Sequence, residues 1–308
     1  MKVRNQFNYI FANARRRFKS REIQRLSVII VFLFVPVVLL LAFTYIPFAE
    51  MVRYSFFKWN GTSPNMEYIG LDNYKQIFTE RQYFQVFKTS LYYLAGSIIQ
   101  IALALYFATI LNYRLKLKNL FKGILFFPYL INGVAIGFIF MYFFREQGTL
   151  DTLLAKAGIP SAALPLWLGN VKIINISLTG VSIWRYMGQN MVMFIGAIQS
   201  VSTELYEASG LDGANRWQQF RYIILPNIRP IVNLNLILAV KGAINVFEIP
   251  YIMTSGGNGS ATFVIKAIQM AFTNKKIGLA SAMGVILLII IMIITYIQKY
   301  CFEAREEK

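Results

Sequence analysis

Charged and amide side chains occur inside two long apolar segments of this chain, 172–198 and 228–252. A charge at the centre of a membrane-spanning helix costs about 2.5–3.5 kcal/mol on insertion scales, so such groups usually face the bundle interior or a wet cavity. Amides donate and accept hydrogen bonds, which suits the hydroxyls of a solute. The pattern therefore predicts a polar solute path, and interhelical hydrogen bonding is the competing interpretation. The residues predicted to line this path are Tyr186, Gln189, Asn190, Asn245 and Glu248.

The pairing of the charges in these segments stays open at the level of sequence. Lys241, Asn245 and Glu248 have i, i+4, i+7 spacing, which predicts a shared helix face. Counting about 1.5 Å per residue from the inner ends places Arg185 level with Lys241, and Glu248 roughly 10 Å further out. Arg185 and Lys241 would repel each other if they were adjacent. A watery path or different faces of the bundle would each resolve this conflict.

The residue types that most enzymes depend on are nearly absent. The 308 residues include no histidine and one cysteine, Cys301. Histidine is the commonest general base near neutral pH and a frequent metal ligand, so Ser-His and Cys-His hydrolases are excluded and a metal site is not expected. A single cysteine cannot form an intrachain disulfide. We therefore expect a protein that is not an enzyme and binds no cofactor of its own.

The composition is that of a membrane protein, with 56% hydrophobic and 15% charged residues. A helix needs about 20 apolar residues to cross about 30 Å of hydrocarbon. Six segments meet that length, although the fourth and fifth contain charges, so the predicted fold is an all-α bundle of about six transmembrane helices. In the third, Asn132 predicts a kink or a packing site. The segments are 26–46, 89–112, 123–144, 172–198, 228–252 and 277–298.

Basic residues set the orientation. Lys and Arg near the ends of spans mark the cytoplasmic side, and basic clusters precede the first span and separate the second from the third. The net charge of +17 thus reflects topology and attraction to anionic lipid, and no nucleic-acid partner is expected. The clusters are Arg15, Arg16, Arg17, Lys19, Arg21 and Arg25, and Arg114, Lys116, Lys118 and Lys122.

This orientation divides the chain into a cytoplasmic basic tail (1–25), a transmembrane domain (26–300) and a cytoplasmic C-terminal tail (301–308). The basic tail is too long, and the first span lacks a following small-residue site, for a cleaved signal peptide. Three segments fall outside, and the first is rich in turn formers and predicts a folded cap. They are 47–88, 145–171, with a short helix expected at 149–157, and 253–276.

Residues 200–227, which we name the coupling segment, lie on the cytoplasmic side between the fourth and fifth spans. Thr203 is a plausible N-cap of a first short helix, and Asp212 of a second. Leu225 is expected to leave helical geometry because it precedes Pro226. The pattern predicts a compact helical knob over 203–222. The residues expected to be available to a partner are Glu207, Trp217 and Phe220.

An ordinary interfacial helix would explain these signals equally well, but the motif is more specific. Glu207-Ala208-Ser209, then Asp212-Gly213-Ala214, then Ile223, Leu225 and Pro226 resemble the EAA, DGA and I-x-LP boxes of binding-protein-dependent permeases, the membrane subunits of ATP-binding cassette (ABC) importers. Ser209 replaces the family's second alanine. Further fragments resemble sugar permeases of the maltose-transport type. They are Ser55 to Gly61, Gly70 to Tyr74, and Thr254 to Thr262, where Asn258 replaces the usual proline and predicts a looser loop.

The resemblance implies an import subunit of the bacterial cytoplasmic membrane that moves a sugar or oligosaccharide by alternating access. Its partners would be a homologous second permease subunit, two ATP-binding subunits that hold ATP and Mg, and an extracytoplasmic solute-binding protein. The absence of a GxxxxGK[ST] loop here agrees with ATP being bound elsewhere. In this family Glu207 would contact a basic residue of the ATP-binding subunit, Gly213 would act as hinge, and Ala208, Leu225 and Pro226 would supply packing and geometry.

Two other function classes remain open from the sequence. An ion-coupled secondary transporter would need titratable relays, and Glu248 is the one carboxylate within the predicted spans. A membrane scaffold without transport would purify without an ATP-binding partner. The identity of the solute stays open because the binding protein or the sister subunit can carry the specificity.

Overall fold

The computed structural model describes residues 24–112 and 116–306, and their side chains as far as residue 302. The chain is divided into two compact units, and the boundary in the sequence is between Tyr54 and Ser55. Most of the basic tail, Arg114 and the last two residues of the predicted C-terminal tail lie outside the described residues.

The first unit contains one long helix, α1 (Gln24–Tyr54). Pro47 was expected to begin the external segment, but the helix continues through it. A π-helical turn over Leu41–Tyr45 directly precedes the proline. A proline lacks an N–H group and clashes with the carbonyl one turn earlier, and the wider π turn accommodates this defect without ending the helix.

The second unit begins with a folded cap. A two-stranded antiparallel ribbon pairs β1 (Phe57–Lys58) with β2 (Glu67–Tyr68), followed by α2 (Asp72–Thr79) and α3 (Arg81–Gln85). The buried Asn73 amide donates to the Ser55 and Phe57 carbonyls at 2.8 and 3.0 Å. The predicted cap is therefore ordered, and Asn73 of the family-like segment holds it together.

The remaining helices form the bundle and its connections, including the short helix expected after residue 148. They are α4 (Phe87–Asn112), α5 (Lys118–Leu130), α6 (Gly133–Phe143), α7 (Thr149–Lys156), α8 (Ile174–Gln199), α9 (Thr203–Leu211), α10 (Arg216–Gln219), α11 (Leu225–Asn227), α12 (Arg229–Ile244), α13 (Glu248–Thr254), α14 (Phe263–Ile268) and α15 (Ile277–Glu306). Helix α4 packs along α8, and α12 packs against α4, α8 and α15.

Within the described residues, four helical segments are long and apolar enough to cross a membrane: α1, α3 with α4, α12 with α13, and α15. A fifth is obtained if the bent pair α5 and α6 forms one span. The predicted fourth span is the 26-residue helix α8. It falls outside this set, so the predicted number of six spans is not confirmed.

The predicted third span, 123–144, is not one straight helix. Helices α5 and α6 meet at an angle of 95°. Ile131 is extended, and the Asn132 side chain caps α6 by accepting from the Val134 N–H at 2.8 Å. Asn132 was expected at a kink or a packing site, and the structure gives it the cap of the second half.

The fifth predicted span is also broken. Helix α12 ends at Ile244, and Pro250 lies in α13. In a continuous helix the Pro250 ring would clash with the Val246 carbonyl. That carbonyl instead accepts from the Thr262 hydroxyl at 2.8 Å. The expected common face of Lys241, Asn245 and Glu248 is therefore wrong.

Residues 255–262 form a loop that is held in place by hydrogen bonds. This contradicts the expectation that Asn258 loosens it. Asn258 has φ +52°, a conformation closed to proline, whose φ is fixed near −65°. Its side-chain amide donates to the Leu168 carbonyl at 3.0 Å. The next carbonyl, that of Gly259, accepts from Asn175 at 3.1 Å and from Thr89 at 3.4 Å.

Three apolar clusters form the core of the second unit. The one we name the inner cluster joins the C-terminal halves of α4 and α8 to the start of α12, and Tyr206, Phe220 and Ile223 of the coupling segment pack against it. The other two lie around α14 and α15 and around the N-terminal part of α8 with α13. The inner cluster thus connects the coupling segment to the transmembrane helices.

Candidate functional site

A cavity of about 460 Å³ lies among α4, α8, α12 and α13. All five residues predicted to line a solute path are among its lining residues. Between them they supply a phenol, three amides and a carboxylate. The five are Tyr186, Gln189, Asn190, Asn245 and Glu248.

The structure adds polar lining residues that the sequence interpretation left out. Tyr93, Ser97 and Gln100 of α4 line the same cavity. Their i, i+4, i+7 spacing places them on one face of an otherwise apolar helix, and this pattern is the signal that could have identified them. Thr179 and Ser182 of α8 also line it.

Two of these lining groups are buried without a hydrogen-bond partner among the described residues. They are the Tyr93 phenol and the Thr179 hydroxyl. A buried polar group without a partner is unfavourable by about 1–3 kcal/mol. Both oxygens are shielded from solvent, so neither bonds water or a solute in the conformation described here.

The ion pair of the site joins α8 to α13. Arg185 Nη1 lies 2.5 Å from Glu248 Oε2. The expected 10 Å separation in depth was counted along one continuous helix, and it does not apply to Glu248 because α12 ends at Ile244. Gly133 of α6 makes room for this pair, since a Cβ built there would overlap with the Glu248 carboxylate.

Lys241 takes no part in the ion pair. It is exposed on α12, and no ion pair to its ammonium group is found in the part of the chain that the structure describes. Glu248 is the one charged residue of the cavity lining. Because Arg185 balances it, the lining is close to neutral.

Three amides of the cavity lining form a hydrogen-bonded chain. Gln100 donates to Asn190 at 3.1 Å, and Asn190 donates to Asn235 at 2.8 Å. Each comes from a different helix. Interhelical hydrogen bonding was the alternative interpretation for Asn190, and the structure gives it both this role and a place in the lining.

The coupling segment folds as two short helices, as predicted, but its first cap differs from the expected one. Ser202 is the N-cap of α9, and its hydroxyl accepts from the Glu204 N–H at 3.3 Å. Thr203 was expected in that role, but it is already the first helical residue. Glu207 and Ala208 are exposed on α9.

The second cap differs as well, and it lies three residues later than expected. Asp212 and Gly213, which has φ +78°, are still part of the reversal between the helices. Asn215 caps α10 through a capping box with Gln218, with hydrogen bonds of 2.9 and 2.7 Å. Gly213 therefore provides the left-handed turn residue that lets the chain reverse.

Ser209 connects the two short helices. Its hydroxyl donates to the Tyr206 carbonyl at 2.9 Å and accepts from the Gln219 amide at 3.1 Å. An alanine at this position could not make either bond. Ser209, in place of the family's alanine, therefore adds hydrogen bonds that hold the two short helices of the knob together.

At the end of the coupling segment, Leu225 and Phe220 differ from what the sequence predicted. Leu225 keeps helical geometry with φ −59° and ψ −41°, because the π turn Phe220–Ile224 widens the helix before Pro226. Phe220 is half-buried against the inner cluster and is not freely available to a partner. Trp217 is 69% exposed.

No group of three or more potential metal ligands occurs within the described residues. Together with the missing histidine, this leaves the site with hydrogen-bonding groups, one ion pair and aromatic rings. Such an arrangement can bind and orient a polar solute.

Comparison with known proteins gives one consistent result. Residues 100–307 match the family model described as binding-protein-dependent transport system inner membrane component. The chain is 34% identical to the probable ABC transporter permease protein YurN of Bacillus subtilis, covering 91% of this chain and 98% of YurN. It is 29% identical to the multiple sugar-binding transport system permease protein MsmF of Streptococcus mutans, covering 87% and 92%.

Among solved structures, the fold matches a chain in the crystal structure of the bacterial alginate ABC transporter in complex with an alginate pentasaccharide-bound periplasmic protein. The TM-score is 0.80 at 19% identity, covering 91% of this chain and 95% of the other. At that identity the likeness speaks for the fold.

Proposed function

This chain belongs to the family of binding-protein-dependent transport system inner membrane components, and from that membership we propose that it is the permease subunit of an importer that carries a neutral sugar or oligosaccharide. Its relatives are permease subunits of ABC transporters rather than enzymes, and hydrolysis of ATP belongs to their partner subunits. The cavity among α4, α8, α12 and α13 forms part of the solute path.

The observation that carries the proposal is the chemistry of the cavity lining. Amides and hydroxyls predominate among its polar groups. The charge of Glu248 is balanced by Arg185. Such a lining favours a solute with many hydroxyls and no net charge. The name of MsmF, a multiple sugar-binding transport permease, agrees with this choice.

The coupling segment is the proposed contact with one ATP-binding subunit. Exposed Glu207 and Ala208 are presented on one side of the knob, and the opposite side packs on the inner cluster through Tyr206 and Ile223. Movement of the bound ATP-binding subunit would therefore reach the helices that line the cavity, and alternating access would follow from their rigid-body motion. A second permease subunit and an extracytoplasmic binding protein complete the assembly.

The proposal is tested by uptake into proteoliposomes that contain the whole complex with its binding protein. Radiolabelled maltotriose, raffinose and arabinotriose serve as neutral probes, and an alginate trisaccharide serves as the acidic control. We expect at least one neutral sugar to accumulate only with ATP on the nucleotide side. Uptake driven by an ion gradient without ATP would overturn the importer in favour of a secondary transporter.

A further inference from the structure

A directional chain of amides crosses three helices beside the cavity. Asn235 of α12 is 1% exposed. Its Nδ2 donates to the Ile231 carbonyl at 2.8 Å, its Oδ1 accepts from Asn190 Nδ2 at 2.8 Å, and Asn190 Oδ1 accepts from Gln100 Nε2 at 3.1 Å. All three side chains are among the residues that line the cavity, but Asn235 is almost wholly buried, so the chain runs from the Ile231 carbonyl to the more accessible Gln100.

The backbone carbonyl of Ile231 fixes the direction of every bond in this chain. A carbonyl can only accept, so Asn235 must turn its NH₂ group toward Ile231 and its oxygen toward Asn190. Asn190 must then donate to Asn235 and keep its oxygen for Gln100. Gln100 must in turn donate to Asn190. None of the three amides can flip alone without setting two donors or two acceptors against each other.

The acceptor left over at the cavity end is the side-chain oxygen of Gln100. Gln100 lines the cavity, and one N–H of its NH₂ group donates to Asn190, which leaves the Gln100 oxygen on the side away from Asn190. Its oxygen is an acceptor, so it is satisfied by a donor such as an O–H group. If the solute placed a fluorine or an ether oxygen there instead of the O–H group, two acceptors would face each other and no hydrogen bond would form.

We propose that Asn235 is a positioning residue for solute selectivity, because it sets the polarity of the amide chain and so makes Gln100 an obligatory acceptor for one solute hydroxyl. This inference deepens the proposed function and depends on it. Asn235 acts through Asn190, and the selectivity is expressed at Gln100.

The test uses an isosteric pair of variants. Asn235→Thr retains a hydroxyl that can donate to the Ile231 carbonyl, as helical threonines commonly do to the i−4 position, and its oxygen can accept from Asn190. Asn235→Val has the same shape without the hydroxyl. In the Val variant the Asn190 and Gln100 amides can reverse, and Gln100 can then offer a donor.

The readout is the ratio of uptake rates for a parent sugar and each of its monodeoxyfluoro derivatives, measured with the complete complex. The parent is whichever of maltotriose, raffinose and arabinotriose the wild-type complex carries. Because both rates come from one preparation, the ratio is insensitive to the amount of folded protein. The binding protein is the same throughout, so its own preference cancels between variants.

For one hydroxyl position we expect wild type and Asn235→Thr to prefer the parent by about tenfold or more, since the fluoro derivative leaves the Gln100 acceptor without a partner. We expect Asn235→Val and Gln100→Met to reduce that preference to within about threefold. Two results would overturn the inference: equal uptake ratios in the Asn235→Thr and Asn235→Val variants, or a preference for the parent sugar that persists in Gln100→Met. In either case, uptake of the parent sugar would still support the proposed function. Uptake of none of the three sugars would defeat the proposed function first, and this inference with it.

Discussion

Arg185 and Glu248 form an ion pair of 2.5 Å although 63 positions separate them in the chain. The Arg185 side chain is 10% exposed and that of Glu248 is 39% exposed. The pair ties α8 to α13 at the point where the fifth predicted span breaks. It also explains how two charges are tolerated within a membrane bundle.

Removal of one partner of this pair should destabilise the protein. Glu248→Gln leaves the buried guanidinium without its counter-charge, and losses of about 3–5 kcal/mol are typical of fully buried pairs. Because Glu248 is partly exposed, we expect about 2 kcal/mol, seen as a lower apparent melting temperature of the detergent-solubilised complex. The double variant Arg185→Met, Glu248→Gln should recover most of this loss. A double variant no more stable than Glu248→Gln would contradict the role of the pair.

Gly133 should be intolerant of a methyl group. A Cβ at Gly133 overlaps with the Glu248 carboxylate, whereas one at Gly123 of α5 meets open space. We expect Gly133→Ala to lower the apparent melting temperature by several degrees, with a loss of about 1–3 kcal/mol from overpacking. Gly123→Ala is the control and should change little. Equal melting temperatures for the two variants would show that α6 does not press on the ion pair.

Glu207 should be needed for coupling rather than for folding. Glu207 is exposed on α9, so its removal leaves packing intact. We expect Glu207→Ala to assemble and bind solute normally but to lose most of the ATPase stimulation by the loaded binding protein. Glu204→Ala removes a carboxylate from the first turn of the same helix and should keep most of the stimulation. Full stimulation in Glu207→Ala would rule out the coupling role.

The two glycines of the knob should respond in opposite directions. Gly213 has φ +78°, whereas Gly210 is helical with open space around its Cα. Alanine at Gly213 forces a left-handed conformation that costs about 1 kcal/mol, and alanine in a helix is favoured over glycine by about 1 kcal/mol. We expect Gly213→Ala to reduce thermal stability and stimulated ATPase activity, and Gly210→Ala to preserve both. The reverse order would contradict the hinge geometry.

Lys241 should face water or protein rather than lipid. It lies twelve residues after the start of α12 at Arg229, about 18 Å along the helix, which is too far for its side chain to snorkel to the interface at that end. In a Cys301→Ser background, Lys241→Cys is expected to react with a charged, membrane-impermeant thiol reagent in the assembled complex. Ile98→Cys, exposed on α4, is the lipid-facing control and should react only with an apolar maleimide. The same apolar-only reactivity at position 241 would mean that this face contacts lipid.

Local sequence rules predicted the elements whose causes are local. Apolar length predicted the helices that became α4 and α15, the N-cap candidates Thr203 and Asp212 predicted the helical knob, and turn formers predicted the external cap. The same rules were wrong at the caps, where Ser202 and Asn215 take the roles expected for Thr203 and Asp212. Ser, Thr, Asp and Asn all have high capping propensity, so where several lie close together the propensity does not decide which one the chain leaves non-helical.

The composition of the sequence alone determined that this is a polytopic membrane protein without histidine chemistry, and its motif order indicated the family. The tertiary structure decided which polar groups meet. The breaks at Asn132 and after Ile244 bring Glu248 to Arg185, and packing of three helices aligns Gln100, Asn190 and Asn235. Hydrophobic periodicity in a sequence predicts which face of a single helix is buried and which is exposed. The direction of a break and the register between helices depend on contacts among residues far apart in the chain, and no local pattern encodes those distances.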